Sequence, residues 1–211
     1  MRVRVKICGI TNVEDALAAA HFGADAIGLV FAESPRRIDP QAARSIVESL
    51  PPFVCPVGVF VDEHPEVVLE TARIVGLHSV QLSGMETPEY VERLSSVDII
   101  KCIRVGKAGD LERAADYPDV KILLDTASKC AAGGTGETFS WEYAVELAAG
   151  REIILAGGLS PDNVGEAVKV VGPWGVDVSS GVEASPGIKD GGKIRRFIES
   201  ARRPGNAKIE T

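Results

Sequence analysis

The sequence predicts a single-domain α/β protein, a closed (β/α)8 TIM barrel. Three observations predict it. Short apolar runs alternate with amphipathic helical stretches along the whole chain. One strand–helix unit takes about 26 residues, so eight of them fill the 211-residue chain, near the lower end of the size range of such barrels. Within the strands, polar residues fall on one side-chain parity and reach the C-terminal tip. Strict strand–helix alternation implies a parallel sheet. An open doubly wound sheet is the competing arrangement, but no G-x-G-x-x-G follows the first strand.

The strand candidates run Val3–Cys8, Asp25–Phe31, Val54–Val61, His78–Ser83, Asp98–Val105, Val120–Asp125, Glu152–Gly157 and Gly175–Ser180. Amphipathic stretches between them include NVEDALAAAHF, PQAARSIVESL, PEVVLETARIV and SWEYAVELAA. Asn12, Asp39 before Pro40 and Ser160 before Pro161 read as helix starts, because their side-chain oxygens can take the unpaired N–H groups of a first turn. No linker divides residues 1–203, the barrel domain. Residues 204–211 read as a polar C-terminal tail, with Pro204 and Gly205 ending the last helix.

Parity assigns the faces. In the first strand Val3, Val5 and Ile7 share one parity, and Arg4, Lys6 and Cys8 the other. Val80 and Leu82 oppose Gln81 and Ser83; Val120, Ile122 and Leu124 oppose Lys121 and Asp125; Val176 and Val178 oppose Asp177 and Ser179. In a barrel the apolar parity meets the helices and the other faces the lumen. The polar sets therefore point inward and end at the C-terminal rim, where barrel enzymes carry their active sites.

Composition narrows the function classes. The formal net charge of −7 offers no general attraction to nucleic acid or to an anionic membrane surface. No apolar run approaches the roughly 18 residues of a membrane span, and the N-terminus has no signal-peptide core. A cytoplasmic protein with a small-molecule partner is expected. The four cysteines, Cys8, Cys55, Cys102 and Cys130, form no C-x-x-C pair, and a disulfide framework is not expected. Cys55 and Cys102 read as small buried core residues. His21, His64 and His78 lack ligand spacing, so no metal site is expected.

The rim residues carry the chemistry. LAGGLSPDNV ends strand seven with Gly157 and Gly158, and DVSSGVE ends strand eight with Ser180 and Gly181. Tight turns alone would explain either pair. On these two successive strands they point to a phosphate cradle of backbone N–H groups. Arg36, in the loop after strand two, suits a second anionic group of the ligand, whereas Arg37 beside it reads as solvated. Gln81 and Asp177 face the lumen as further substrate contacts. Cys8 and Asp125 end strands one and six, more than a third of the way round the barrel from each other. A thiolate can accept a proton and a partly dehydrated carboxylic acid can donate one, so the two can flank a ligand. A loop-capping acid is the plainer role for Asp125. With no histidine at the rim a nucleophilic triad is unsupported. Lys6 and Lys101 stay open as Schiff-base formers.

KICGIT, SPR, GVFV, VQL-x-G, LLDT, GGTGETFSW, GGLSPDNV and GVDVSSGVE-x-x-PG-x-KD, in that order from Lys6 to about Lys189, resemble the phosphoribosylanthranilate isomerase family of tryptophan biosynthesis. The resemblance implies an Amadori rearrangement of an aminoaldose phosphate to an aminoketose phosphate, with no cofactor and no metal. By similarity Asp125 is the general acid that opens the furanose ring, and Cys8 the general base at C2. Arg36 matches the position that binds the anthranilate carboxylate; Gly157, Gly158, Ser180 and Gly181 match the phosphate loops. One departure is visible. The family usually shows VQLHG, and here Ser83 replaces the histidine. Cys8 is expected to act as a thiolate favoured by Lys6.

A histidine-pathway or dual-substrate phosphoribosyl isomerase is the nearest rival, but those typically place an aspartate where Cys8 stands. A phosphosugar epimerase would need rim histidines for metal. A non-catalytic phosphate-binding barrel, with Ser83 marking lost activity, sits poorly with the presence of both Cys8 and Asp125. The chain is expected as a monomer or a homodimer, the latter through loops of the N-terminal face.

Overall fold

The computed structural model describes residues 2–127 and 140–203. Eight parallel strands close into a barrel in sequence order. They are β1 (Arg4–Cys8), β2 (Ala26–Val30), β3 (Cys55–Phe60), β4 (Ser79–Leu82), β5 (Asp98–Val105), β6 (Lys121–Thr126), β7 (Ile153–Leu155) and β8 (Gly175–Val178). Helices α1 (Val13–Phe22), α2 (Pro40–Ser49), α3 (Pro65–Val75), α4 (Pro88–Glu92), α5 (Glu142–Gly150), α6 (Val164–Val171) and α7 (Gly191–Arg202) pack outside. A hairpin of β9 (Glu183–Ser185) and β10 (Ile188–Lys189) lies between β8 and α7. Among the described residues, no helix is long and apolar enough to cross a membrane.

Asn12 and Asp39 cap as expected. Asn12 accepts from Asp15 N at 2.8 Å, and Asp39 accepts from Gln41 N and Ala42 N at 3.0 Å. Ser160 does not start a helix. Its Oγ accepts from Asp162 N at 3.3 Å as expected, but Pro161–Asn163 form a turn and α6 begins at Val164; Asn163 accepts from Ser160 N at 2.8 Å and donates to Gly158 O at 2.9 Å. The fourth and fifth units also depart from full helices. α4 spans five residues, and Ala108–Asp116 forms a 3-10 helix that ends before Tyr117 and Pro118. The residue ahead of a proline is pushed out of the helical region, which stops the segment there.

Two apolar layers fill the molecule. Outside the sheet, Val5, Ile7, Ile27, Leu29, Ile122, Leu124, Val176 and Val178 pack against Ala16, Ala19, Ile46, Ile194 and Phe197 of the helices. Inside, Cys102, Leu123, Ile154 and Ala156 form one cluster, and Cys8, Val30 and Val59 another. The parity reading holds for the faces, but the lumen is not polar throughout: these apolar side chains plug its middle. Cys102 is buried there as expected. Cys55 is not; as the first residue of β3 it is exposed at the N-terminal mouth. Cys130 and the tail 204–211 lie outside the described residues.

Candidate active site

At the C-terminal end of β1, Cys8 sits buried on the lumen face. Its space exists because β2 places Gly28 opposite, where a Cβ would come within 2.6 Å of Cys8 Sγ and 3.1 Å of Lys6 Nζ. Lys6, one step below Cys8 on the same face, donates to Asp177 Oδ1 at 2.9 Å across the β1–β8 seam. Burial opposes the Lys6 charge, but Asp177 and Cys8 more than offset that and hold the ammonium above the usual lysine range. Burial pushes the Cys8 thiol up; Lys6 and Lys189 pull it down, and Asp177 adds to the rise. Burial, the largest of these influences, works against the expected thiolate.

Asp125 ends β6 on the lumen face, with Thr126 N donating to its Oδ1 at 2.8 Å. Burial pushes its carboxyl above the usual carboxylate range, Asp177 pushes the same way, and the Thr126 N–H, Arg104 and Lys6 pull back. Gly157 makes this packing possible. Its φ of 79° lies in the left-handed region, and a Cβ there would stand 2.9 Å from Asp125 Oδ1 and collide with Thr126 N. Gly181 lies so close to Leu159 O that a Cβ would strike it, so the loops after β7 and β8 touch each other. Ser180–Val182 form a single 3-10 turn beside them, and the buried Ser179 Oγ has no hydrogen-bond partner.

Arg36 is not a free guanidinium. Its Nε and Nη2 donate to the two carboxylate oxygens of Glu183 at 2.7 and 2.8 Å. Glu183 Oε1 also accepts from Lys189 Nζ at 2.9 Å. Burial works against the Glu183 charge, yet Arg36 and Lys189 hold its carboxyl below the usual range. Two cations and one anion leave this cluster with one net positive charge beside Cys8. Gln81 is 5% exposed on the lumen face of β4; its Nε2 donates to Ser83 Oγ at 3.0 Å and its Oε1 has no partner among the described residues.

The family model for N-(5'-phosphoribosyl)anthranilate isomerase matches residues 5–200. The chain belongs to that family. The isomerase of Trichlorobacter lovleyi is 50% identical over 202 residues, covering 95% of this chain and 98% of the relative. The crystal structure of the Thermotoga maritima phosphoribosylanthranilate isomerase superposes with a TM-score of 0.90 at 48% identity, covering 94% of this chain and 98% of that one. A phosphoribosylanthranilate isomerase in complex with reduced 1-(o-carboxyphenylamino)-1-deoxyribulose 5-phosphate superposes at 0.86 with 47% identity over the same shares.

Within this isomerase framework the barrel brings Cys8, Gln81, Asp125, Gly157, Asp177 and Ser180 to the C-terminal ends of their strands, with Arg36 joined to them through the β9–β10 hairpin. Lys101 leaves the list of Schiff-base candidates. It lies on the face opposite Ile100 and Cys102, is 0% exposed, and donates to Gly84 O at 2.8 Å and to Glu86 Oε2 at 2.6 Å. Sequence reading missed Glu183, Lys189 and Arg104. The first two stand within GVE-x-x-PG-x-KD, whose acid and lysine meet once the hairpin turns. Arg104 shares the lumen parity of Cys102 and pairs in register with Asp125. Most of the GGTGETFSW motif lies outside the described residues. Among the described residues no group of three or more metal-ligating side chains gathers. A cavity of about 770 Å³ opens at the opposite, N-terminal mouth, lined by Arg4, Phe53, Cys55, Lys121 and Trp174. Neither Cys8 nor Asp125 lines it.

Proposed function

We propose that the chain converts N-(5'-phosphoribosyl)anthranilate to 1-(2-carboxyphenylamino)-1-deoxyribulose 5-phosphate, with Asp125 as general acid and Cys8 as general base. The single observation supporting these roles is that Cys8 and Asp125 stand at the C-terminal ends of β1 and β6 of one closed barrel, both on its lumen face. Asp125, whose carboxyl burial pushes above the usual carboxylate range, gives its proton to the furanose ring oxygen. The C1–O bond breaks toward that oxygen, and the nitrogen lone pair forms a C1=N iminium. Cys8 takes the C2 proton; the C2–H electrons form C1=C2 and the C1=N pair returns to nitrogen. The resulting enolamine tautomerises to the ketone.

The iminium resolves the protonation state of Cys8. A cation forming next to a dehydrated thiol favours the thiolate, and acidifies C2 so that a mild base suffices. The N–H groups of Gly157, Gly158, Ser180 and Gly181 cradle the phosphate, and Asp177 contacts the sugar. Arg36 keeps Nη1 for the anthranilate carboxylate, while Glu183 fixes its plane and Lys189 restores the positive charge. No cofactor enters these steps. A phosphosugar substrate of this kind supports a cytoplasmic location. A fluorescence assay of substrate consumption tests the assignment: Cys8→Ser and Asp125→Asn are each expected to lose about 10²–10⁴-fold in kcat. Retained activity in either variant removes that residue from its role. A wild type that binds the reduced product analogue without turnover would favour the non-catalytic barrel.

One Thermotoga maritima neighbour is a set of monomers generated from a dimeric isomerase, at a TM-score of 0.86 and 46% identity. We infer that this chain also pairs, through its N-terminal face. Phe53 is fully exposed with a φ of 74°, at the edge of the cavity there. A two-fold axis would place each Phe53 against the other copy's cavity. Light scattering on wild type and Phe53→Ser tests this; a monomeric wild type overturns it.

A further inference from the structure

We propose that Ser83 is a positioning residue that turns the Gln81 carboxamide so that its oxygen faces the lumen, and that this oxygen accepts the N–H of the substrate's reacting nitrogen. The inference rests on the isomerase reading above and deepens it at one site.

Gln81 stands on the lumen face because β4 sets it in register with Val59, which packs with Cys8. At 5% exposure its amide must place both ends. One end is placed: Nε2 donates to Ser83 Oγ at 3.0 Å. The other is left open, with Oε1 buried and unpartnered. The reverse rotamer would leave two N–H donors facing a lumen already supplied with cationic donors, instead of one acceptor. A buried acceptor without a donor calls for a ligand N–H or O–H.

Position selects which donor. β4 lies across the barrel from β8, four strands away in either direction. A pentose held by its C5 phosphate at the β7 and β8 loops extends its far end, C1 and the attached nitrogen, toward β4. That nitrogen carries one hydrogen in the glycosylamine and keeps it in the iminium, where the N–H is more acidic and the bond to a neutral acceptor strengthens. The interaction thus tightens as the ring opens, which is the condition for raising kcat rather than merely binding substrate. Ser83 supplies the acceptor that holds the amide in this orientation.

The test uses a double-mutant cycle of Gln81→Leu and Ser83→Ala, with Ser83→Thr as the conservative variant. Gln81→Leu is expected to lower kcat about 100-fold while KM moves little. Ser83→Ala is expected to lower kcat about tenfold, Ser83→Thr to restore it, and Ser83→Ala to cost nothing further in the Gln81→Leu background. Affinity for the reduced product analogue, whose nitrogen is a neutral amine, should change less than kcat. Equal costs of Ser83→Ala in both backgrounds, or loss confined to KM, would overturn the proposal. A wild type without turnover refutes the isomerase reading instead, so the two failures are distinguishable.

Discussion

Lys6 and Asp177 form a buried ion pair of 2.9 Å across the seam where β1 meets β8, one step below Cys8. The pair closes the barrel and also sets the field at the site. Its negative member raises the proton affinity of both Cys8 and Asp125, while its positive member lowers both.

Breaking that pair from one side should be costly. Lys6→Met leaves Asp177 buried without its cation, and a loss of about 3–5 kcal/mol in unfolding free energy is expected. Urea titration measures it. A change below 1 kcal/mol would mean the seam is held by its backbone ladder alone.

The pH profile follows from the two raised proton affinities. In the proposed mechanism the productive state needs Cys8 deprotonated and Asp125 protonated, whereas burial favours the protonated form of both. The bell of kcat/KM then has its acidic limb at the Asp125 value and its alkaline limb at the Cys8 value. Asp177→Asn removes a charge that raises both, so both limbs should shift to lower pH. Movement of one limb alone would contradict the shared influence of Asp177.

Cys8 also links pH to stability. Its folded value is raised, so the stabilisation from its burial as a thiol is full below the unfolded thiol's range, about 8.5. It is lost as pH rises through the folded value. Cys8→Ser should flatten the alkaline fall in melting temperature; an unchanged slope would assign that fall elsewhere.

At Gly157 the conformation itself can be tested. Gly157→Ala forces an L-residue to a φ of 79° and drives its Cβ toward Asp125. A loss of about 1–3 kcal/mol in stability is expected, with a fall in kcat as Asp125 is displaced. Normal kcat with normal stability would show that the turn can relax.

Arg36→Lys keeps the charge but loses the fork on Glu183. KM should rise about tenfold, with kcat falling less. Steady-state kinetics decide it; an unchanged KM would remove Arg36 from substrate binding.

Several features were legible because they are local. Alternation of Val5 and Ile7 with Lys6 and Cys8 assigns faces whatever the partner strand is, since β-strand side chains alternate with a period of two. Asn12 and Asp39 cap helices through contacts two or three residues away. Ser160 does take an N–H of the turn that follows it, from Asp162 at 3.3 Å, but that turn becomes regular helix only at Val164. The lumen cluster of Cys102, Leu123, Ile154 and Ala156 was hidden because each residue reads only as a member of its own strand.

By itself the sequence determined the barrel and which polar residues reach its C-terminal rim, because periodicity and residue type are properties of a chain. Tertiary structure decided their protonation and commitments. Arg36 and Glu183 lie 147 positions apart, and Lys6 and Asp177 171, so their meeting depends on barrel closure. Closure also buries Cys8, and burial favours the thiol over the thiolate.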